Sequence, residues 1–172
     1  MKKSMLGLIS IVFPVVLVSA SVPKVTPVVI KQHVPTVVKE KHCIIEALWY
    51  EARGESKKGI HAVASVIHNR KLSKHYPSSY CGVIKQRKQF SYTISSYHSA
   101  NKIEANMKKQ DFKTYGYIKS IADKMVNNKF KPSLHRSVLW YTTTRVRNYW
   151  TKTKVVVHKI GNHKFYSSKK KG

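Results

Sequence analysis

Acidic side chains are what this sequence has least of: 7 Asp and Glu stand against 33 Lys and Arg, a formal charge of +26 over 172 residues. The excess runs along the whole chain, so the molecule as a whole is drawn to polyanions. Nucleic acid, anionic lipid or lipopolysaccharide, and the acidic polymers of a bacterial wall all qualify, so charge gives a class of partner and no activity. Long apolar runs are also lacking. The run from Met5 to Val18 has about 14 residues and contains Pro14, short of the roughly 20 a spanning helix needs. There is no HExxH and no phosphate-cradling glycine loop, which excludes the common helical zinc pair and P-loop chemistry. No metal site and no cofactor are expected. Cysteine is limited to Cys43 and Cys81, and there are no internal repeats.

What is present begins with an export pattern. Lys2 and Lys3 precede the apolar run, which ends in Val18-Ser19-Ala20, a small-residue cleavage site. Residues 1–20 read as a signal peptide, with an uncleaved signal anchor as the other reading, and the destination as the periplasm, cell envelope or exterior. Residues 21–41 carry three prolines among Val, Thr and Lys and read as an extended linker. The folded domain is expected over 42–167, with 168–172 a basic tail. In an oxidising compartment an even pair of cysteines commonly bridges. A Cys43–Cys81 disulfide is therefore expected, with two buried free thiols as the alternative.

Within the domain, Ile44, Leu48 and Glu51 fall at i, i+4 and i+7, one face of a helix that Gly54 ends. Ser56 is placed to cap a second helix, in which Ile60, Val63, Ala64 and Ile67 recur at the helical period up to about Lys71. Residues 81–97 are irregular and read as a loop over a cleft, with a third helix at about 113–128. Val138 to Tyr141, Val155 to Val157 and Lys164 to Tyr166 are β-branched or aromatic runs, with a turn at Ile160-Gly161-Asn162-His163. Helices first and then a small antiparallel sheet make an α+β domain.

With so few carboxylates, each is informative. Glu40 falls in the linker and Glu46 off the apolar stripe; Glu104, Asp111 and Asp123 lie in lysine-rich stretches that read as solvated faces. Glu51 alone shares the apolar stripe, beside Trp49 and Tyr50. A carboxyl held against apolar surface has its charged form disfavoured and can keep a proton near neutrality, as a general acid must. The bland alternative is pairing with Arg53 or a lysine at the helix end. Glu55 is a secondary acid candidate, but Gly54 interrupts the i, i+4 geometry, so capping the break or starting the second helix is its expected role. His61, His68 and His75 recur every seven residues and read as solvated surface histidines, since none has the i, i+4 spacing of a metal pair.

The blocks Trp49-Tyr50-Glu51-Ala52-Arg53-Gly54-Glu55, Asn69-Arg70, Gln89-Phe90-Ser91, Leu139-Trp140-Tyr141 and Gly161-Asn162-His163-Lys164-Phe165-Tyr166 occur in that order. In them the chain resembles the SleB-like, spore-cortex-lytic type of cell-wall hydrolase across about 43–167. The resemblance implies a lysozyme-like fold and a single catalytic glutamate, matching Glu51. It implies cleavage of the β-1,4 bond between MurNAc and GlcNAc in peptidoglycan, as a lytic transglycosylase or muramidase. It also implies substrate contacts from Gln89, Phe90 and Ser91, with support from Tyr141 and His163. Two family prolines are missing, near Ser56 and before Trp150. A monomer is expected, with peptidoglycan glycan strands and anionic polymers as partners. Two other readings stay open: an exported, non-catalytic basic binding module for nucleic acid or lipopolysaccharide, and a wall amidase, for which no convincing zinc set is present.

Overall fold

The computed structural model describes residues 36–87, 89–90, 100–146 and 148–168, all within the compact unit His33–Gly172. The export segment, most of the linker, Ser91 and the last four residues lie outside them. Among the described residues the elements run α1 (Thr36–Ala52), α2 (Lys57–Leu72), α3 (Tyr80–Ile84), α4 (Ala100–Asn106), α5 (Phe112–Val126), β1 (Val138–Thr143), β2 (Lys154–Ile160) and β3 (His163–Ser168). Short 3-10 turns sit at Lys109–Asp111 and Tyr149–Thr153. No described helix is long and apolar enough to cross a membrane.

α1 is the central element, packed against α2, α3, α4 and α5. Neighbours on so many sides explain why its buried set, including Ile44, Ile45, Ala47, Leu48 and Trp49, goes round the helix, where the sequence spacing showed one stripe. The expected linker gives way at Thr36, six residues before the expected domain start at 42. A helix can begin directly after a proline, because the first turn has no use for the missing N–H, so Pro35 does not block it. Glu40 is accordingly a helical residue. Its Oε2 accepts the backbone N–H groups of Tyr80 and Cys81, the otherwise unpaired donors at the start of α3.

α2 begins where its cap was expected, with Ser56 Oγ accepting the Gly59 N–H at 3.2 Å. The segment expected as loop from 81 contains the end of α3, and α4 follows at Ala100, held to α1 by Glu46 Oε1, which accepts the Ala100 N–H at 3.0 Å. Glu46 is thus half-buried and engaged, and burial raises its pKa while Ala100 and Lys85 oppose the rise. Neither short helix has enough turns for its period to show in sequence.

The sheet is antiparallel with order β1-β3-β2, giving the expected α+β arrangement, and Ser168, assigned to the tail, is its last paired residue. β1 slips register between Val138 and Trp140. The displaced Leu139 carbonyl accepts Arg70 Nε at 2.8 Å, and the Val138 carbonyl accepts Asn69 Nδ2 at 3.2 Å. A bulge therefore anchors the sheet to α2 through two polar side chains that are themselves buried.

Cys43 and Cys81 form a disulfide across 38 residues of sequence, joining α1 to α3. Closing a loop of that length is worth about 4 kcal/mol in the chain-entropy account. The double variant Cys43→Ser/Cys81→Ser is expected to unfold at markedly lower urea concentration. An unchanged midpoint would show that the bridge contributes nothing.

Candidate active site

Glu51 lies in the last turn of α1, where the helix leaves the core and its end faces the sheet. Burial raises the pKa of its carboxyl, while the Tyr141 hydroxyl, donating to Oε2 at 3.3 Å, and the Arg70 guanidinium pull it down. Burial wins. The negative end of α1 acts in the same direction as burial, because a carboxylate there faces unpaired carbonyls.

The two opposing groups come from different elements. Tyr141 stands on β1, with its ring edge-on to His163 at 5.3 Å and tilted against Phe165 at 6.0 Å. Arg70 is 5% exposed at the end of α2. Its guanidinium lies 5.4 Å from the Tyr76 ring centre and 6.0 Å from that of Phe90, and its Nε is committed to the Leu139 carbonyl. Sequence reasoning gave Arg70 no role. The available signal was a charged residue on an otherwise apolar face of α2, directly after the buried Asn69.

Glu55 does something the sequence did not show. Its Oε2 accepts the Asn162 N–H at 3.2 Å, and its Oε1 lies 3.6 Å from His163 Nδ1, beyond hydrogen-bond length. The expected capping role is therefore replaced by a long-range link from the α1–α2 junction to the β2–β3 turn. Burial lowers the His163 pKa and Glu55 opposes that. Two glycines make room for this carboxylate. A Cβ on Gly59 would lie 2.8 Å from Glu55 Cβ, and one on Gly161 would collide with Glu55 Oε2. Gly161 also has φ +57, a conformation that side chains other than glycine's resist.

Between the helix junction and the sheet is a cleft of about 490 Å³, lined among others by Tyr50, Glu51, Arg53, Glu55, Arg145 and His163. It is of the size that holds small ligands and combines an acid whose pKa burial raises with two cationic side chains. Of the residues expected to touch substrate, His163 lines this cleft and Tyr141 reaches Glu51. Phe90 does not fit the expectation. It is 1% exposed and belongs to the core beneath Arg70. Gln89 is exposed, is not among the residues lining the cleft, and its N–H is bonded to the Gln86 carbonyl; Ser91 lies outside the described residues.

The histidines spaced by seven, two on α2 and His75 beyond its end, also depart from expectation. His68 Nδ1 is 2.8 Å from the Tyr80 hydroxyl, and His61 packs its ring 4.8 Å from Phe130. Burial lowers the pKa of both; only His75 is exposed. Among the described residues no group of three or more His, Cys, Asp or Glu could hold a metal ion.

The sequence profile of the cell wall hydrolase family matches residues 54–166. That segment takes in Glu55, Arg70, Tyr141 and His163 and begins three residues after Glu51. Two solved structures are similar. One is the catalytic domain of the germination-specific lytic transglycosylase SleB from Bacillus anthracis, 25% identical, with a TM-score of 0.54, covering 74% of this chain and 93% of that one. The other is the catalytic domain of the Bacillus cereus SleB protein, 24% identical, with a TM-score of 0.55, covering 76% and 91%. No curated protein sequence matches the chain.

A carboxyl whose folded pKa lies above its unfolded one costs stability once ionised. The penalty is absent below the unfolded pKa and complete above the folded one. Glu51→Gln is therefore expected to raise the melting temperature at pH 7 and to lose that advantage near pH 4; a variant equally or less stable at pH 7 would contradict a destabilised carboxylate. Gly161→Ala is expected to cost about 2 kcal/mol from backbone conformation alone, plus the collision with Glu55, measured by urea denaturation.

Proposed function

The chain belongs to the cell wall hydrolase family, and from that membership we propose that it cuts the MurNAc–GlcNAc β-1,4 bond of peptidoglycan as a lytic transglycosylase. Glu51 is the acid. The observation that carries this reading is a carboxyl raised in pKa by burial on the wall of a cleft of about 490 Å³. The SleB structure from Bacillus anthracis, described as a lytic transglycosylase domain, supports the same reaction class.

The chemistry follows from having one such acid. Protonated Glu51 gives its proton to the glycosidic oxygen as the C1–O bond breaks, leaving positive character on the muramoyl ring. The resulting carboxylate then removes the proton from the C6 hydroxyl of the same sugar. That oxygen bonds to C1, closing a 1,6-anhydro ring and returning Glu51 to its starting form. No protein nucleophile is needed, and Glu55, committed to the Asn162 N–H beside His163, supplies none. Tyr141, donating to the ionised form of Glu51, stabilises the carboxylate that exists between the two proton transfers.

The substrate sets the address. Such an enzyme works outside the cytoplasm, and the export pattern of residues 1–20 serves that end. The basic surface, at +26 overall, holds the protein against acidic wall or membrane polymers.

The test is digestion of purified peptidoglycan by wild type and Glu51→Gln, with mass spectrometry of the released muropeptides. Wild type is expected to release anhydro-muropeptides, and the variant to be slower by about 100-fold or more, the scale of a lost general acid. Reducing ends from wild type would mean hydrolysis by water. Equal release by both proteins would remove Glu51 from the mechanism.

A further inference from the structure

A second cavity, of about 540 Å³, adjoins the catalytic cleft, and Thr144 lines both. Its composition is different. The first cleft carries Glu51 and Glu55 together with Arg53 and Arg145. The second is lined by Val146, Asn148, Tyr149, Lys152 and Lys164 among others, and none of its lining residues is acidic. Tyr149 is 88% exposed, an aromatic face left open to solvent on the rim of a cationic hollow.

The floor of this hollow is built. Trp150 packs edge-on against the buried Tyr166 at 5.3 Å. Asn148 Nδ2 is 3.4 Å from Thr142 Oγ1, and its carbonyl accepts the Thr151 hydroxyl at 2.7 Å. The Thr144 N–H is held by the Asn162 carbonyl at 2.7 Å, on the same residue whose N–H Glu55 binds. The shared wall is therefore tied to the Glu55 link, and the two cavities keep a fixed relation through the β2–β3 turn.

We propose that this second cavity binds the carboxylates of the stem peptide carried by the muramoyl sugar, with Lys152 and Lys164 as the cationic contacts and Tyr149 covering the peptide's apolar side. The inference rests on the glycosidase reading, since it takes the glycan strand to occupy the neighbouring cleft. Stem peptides hang from the lactyl group of the same sugars whose bonds are cut, so a peptide one step from the reacting bond falls beside the cleft. A soluble polyanion would have no reason to share a wall with the acid. Lys152 and Lys164 thus act in specificity, selecting strands that still bear peptide.

The experiment measures binding, not cleavage, so it stands apart from the fate of the catalytic reading. The Glu51→Gln chain is titrated calorimetrically with soluble glycan strands bearing stem peptides, and with the same strands after an amidase has removed them. Removing the peptides is expected to weaken binding about fivefold or more, in keeping with two partly exposed ion pairs. Lys152→Gln/Lys164→Gln is expected to bind both strands alike, at the weaker affinity, while Lys152→Arg/Lys164→Arg keeps the difference. Circular dichroism checks that the variants are folded. The proposal is overturned if peptide removal changes nothing, if the glutamine variant keeps the preference, or if inorganic polyphosphate displaces the chain from both strands equally through these lysines. A wild type that releases no muropeptides would instead remove the glycosidase reading, and would do so without altering the binding difference.

Discussion

Keeping a carboxyl group inside the last turn of a buried helix is the constraint around which this domain is organised. α1 is packed against four other helices, and in its last turn Glu51 is partly buried at the cleft wall, where Tyr141 and Arg70 oppose the rise in its pKa that burial causes. Those neighbours must be held in position. Tyr141 needs β1 to stand opposite the helix end, and Arg70 needs the bulge at Leu139 to take up its Nε. The Asn69 and Arg70 contacts that fix the sheet to α2 therefore also fix the electrostatics of the acid. A buried guanidinium bonded to the Leu139 carbonyl and to Tyr76 lowers the penalty of ionising Glu51 from a distance, with no ion pair between the two among the described residues.

The second carboxylate shows how different surroundings divide the labour between two glutamates. Glu55 is only four residues on, but beyond the break at Gly54 it turns to the β2–β3 turn and binds backbone. Gly59 and Gly161 leave space that any larger residue would fill. One glutamate is free to carry a proton and the other joins the two halves of the fold across the cleft. The charged side chains lining the cleft at Glu51 are two acids and two arginines, while those lining the adjoining cavity are two lysines.

Much of this could be read from the sequence. The Ser56 cap, the period of α2, the β-branched runs and the ordered motif blocks gave the α+β order and the place of Glu51, because each rests on local chemistry or on a resemblance spread over the whole domain. What escaped depends on contacts distant in sequence. Glu40 and Glu46 bond to N–H groups 40 and 54 residues away, so nothing near them distinguishes them from solvated acids. Phe90 sits in a motif block yet faces the core, since a motif records that a residue matters and not which way it points. The start of α1 at Thr36 was hidden by the prolines of the preceding stretch, whose restraint on the backbone does not reach into a helix that begins directly after one of them. Glu55 and His163 are 108 positions apart, and only the closed fold brings them together.

The central claim is that Glu51 works in its protonated form and that burial, opposed by Tyr141, sets where it loses that proton. The most direct test is the pH dependence of peptidoglycan cleavage at low substrate, by initial rates of turbidity loss, in wild type and Tyr141→Phe. Removing a donor to the ionised carboxyl raises its pKa further. The account therefore predicts that the alkaline fall in rate moves to higher pH in the variant, even where its maximal rate is reduced. An alkaline limb that stays in place or moves to lower pH would mean that the titration of Glu51 does not govern the reaction.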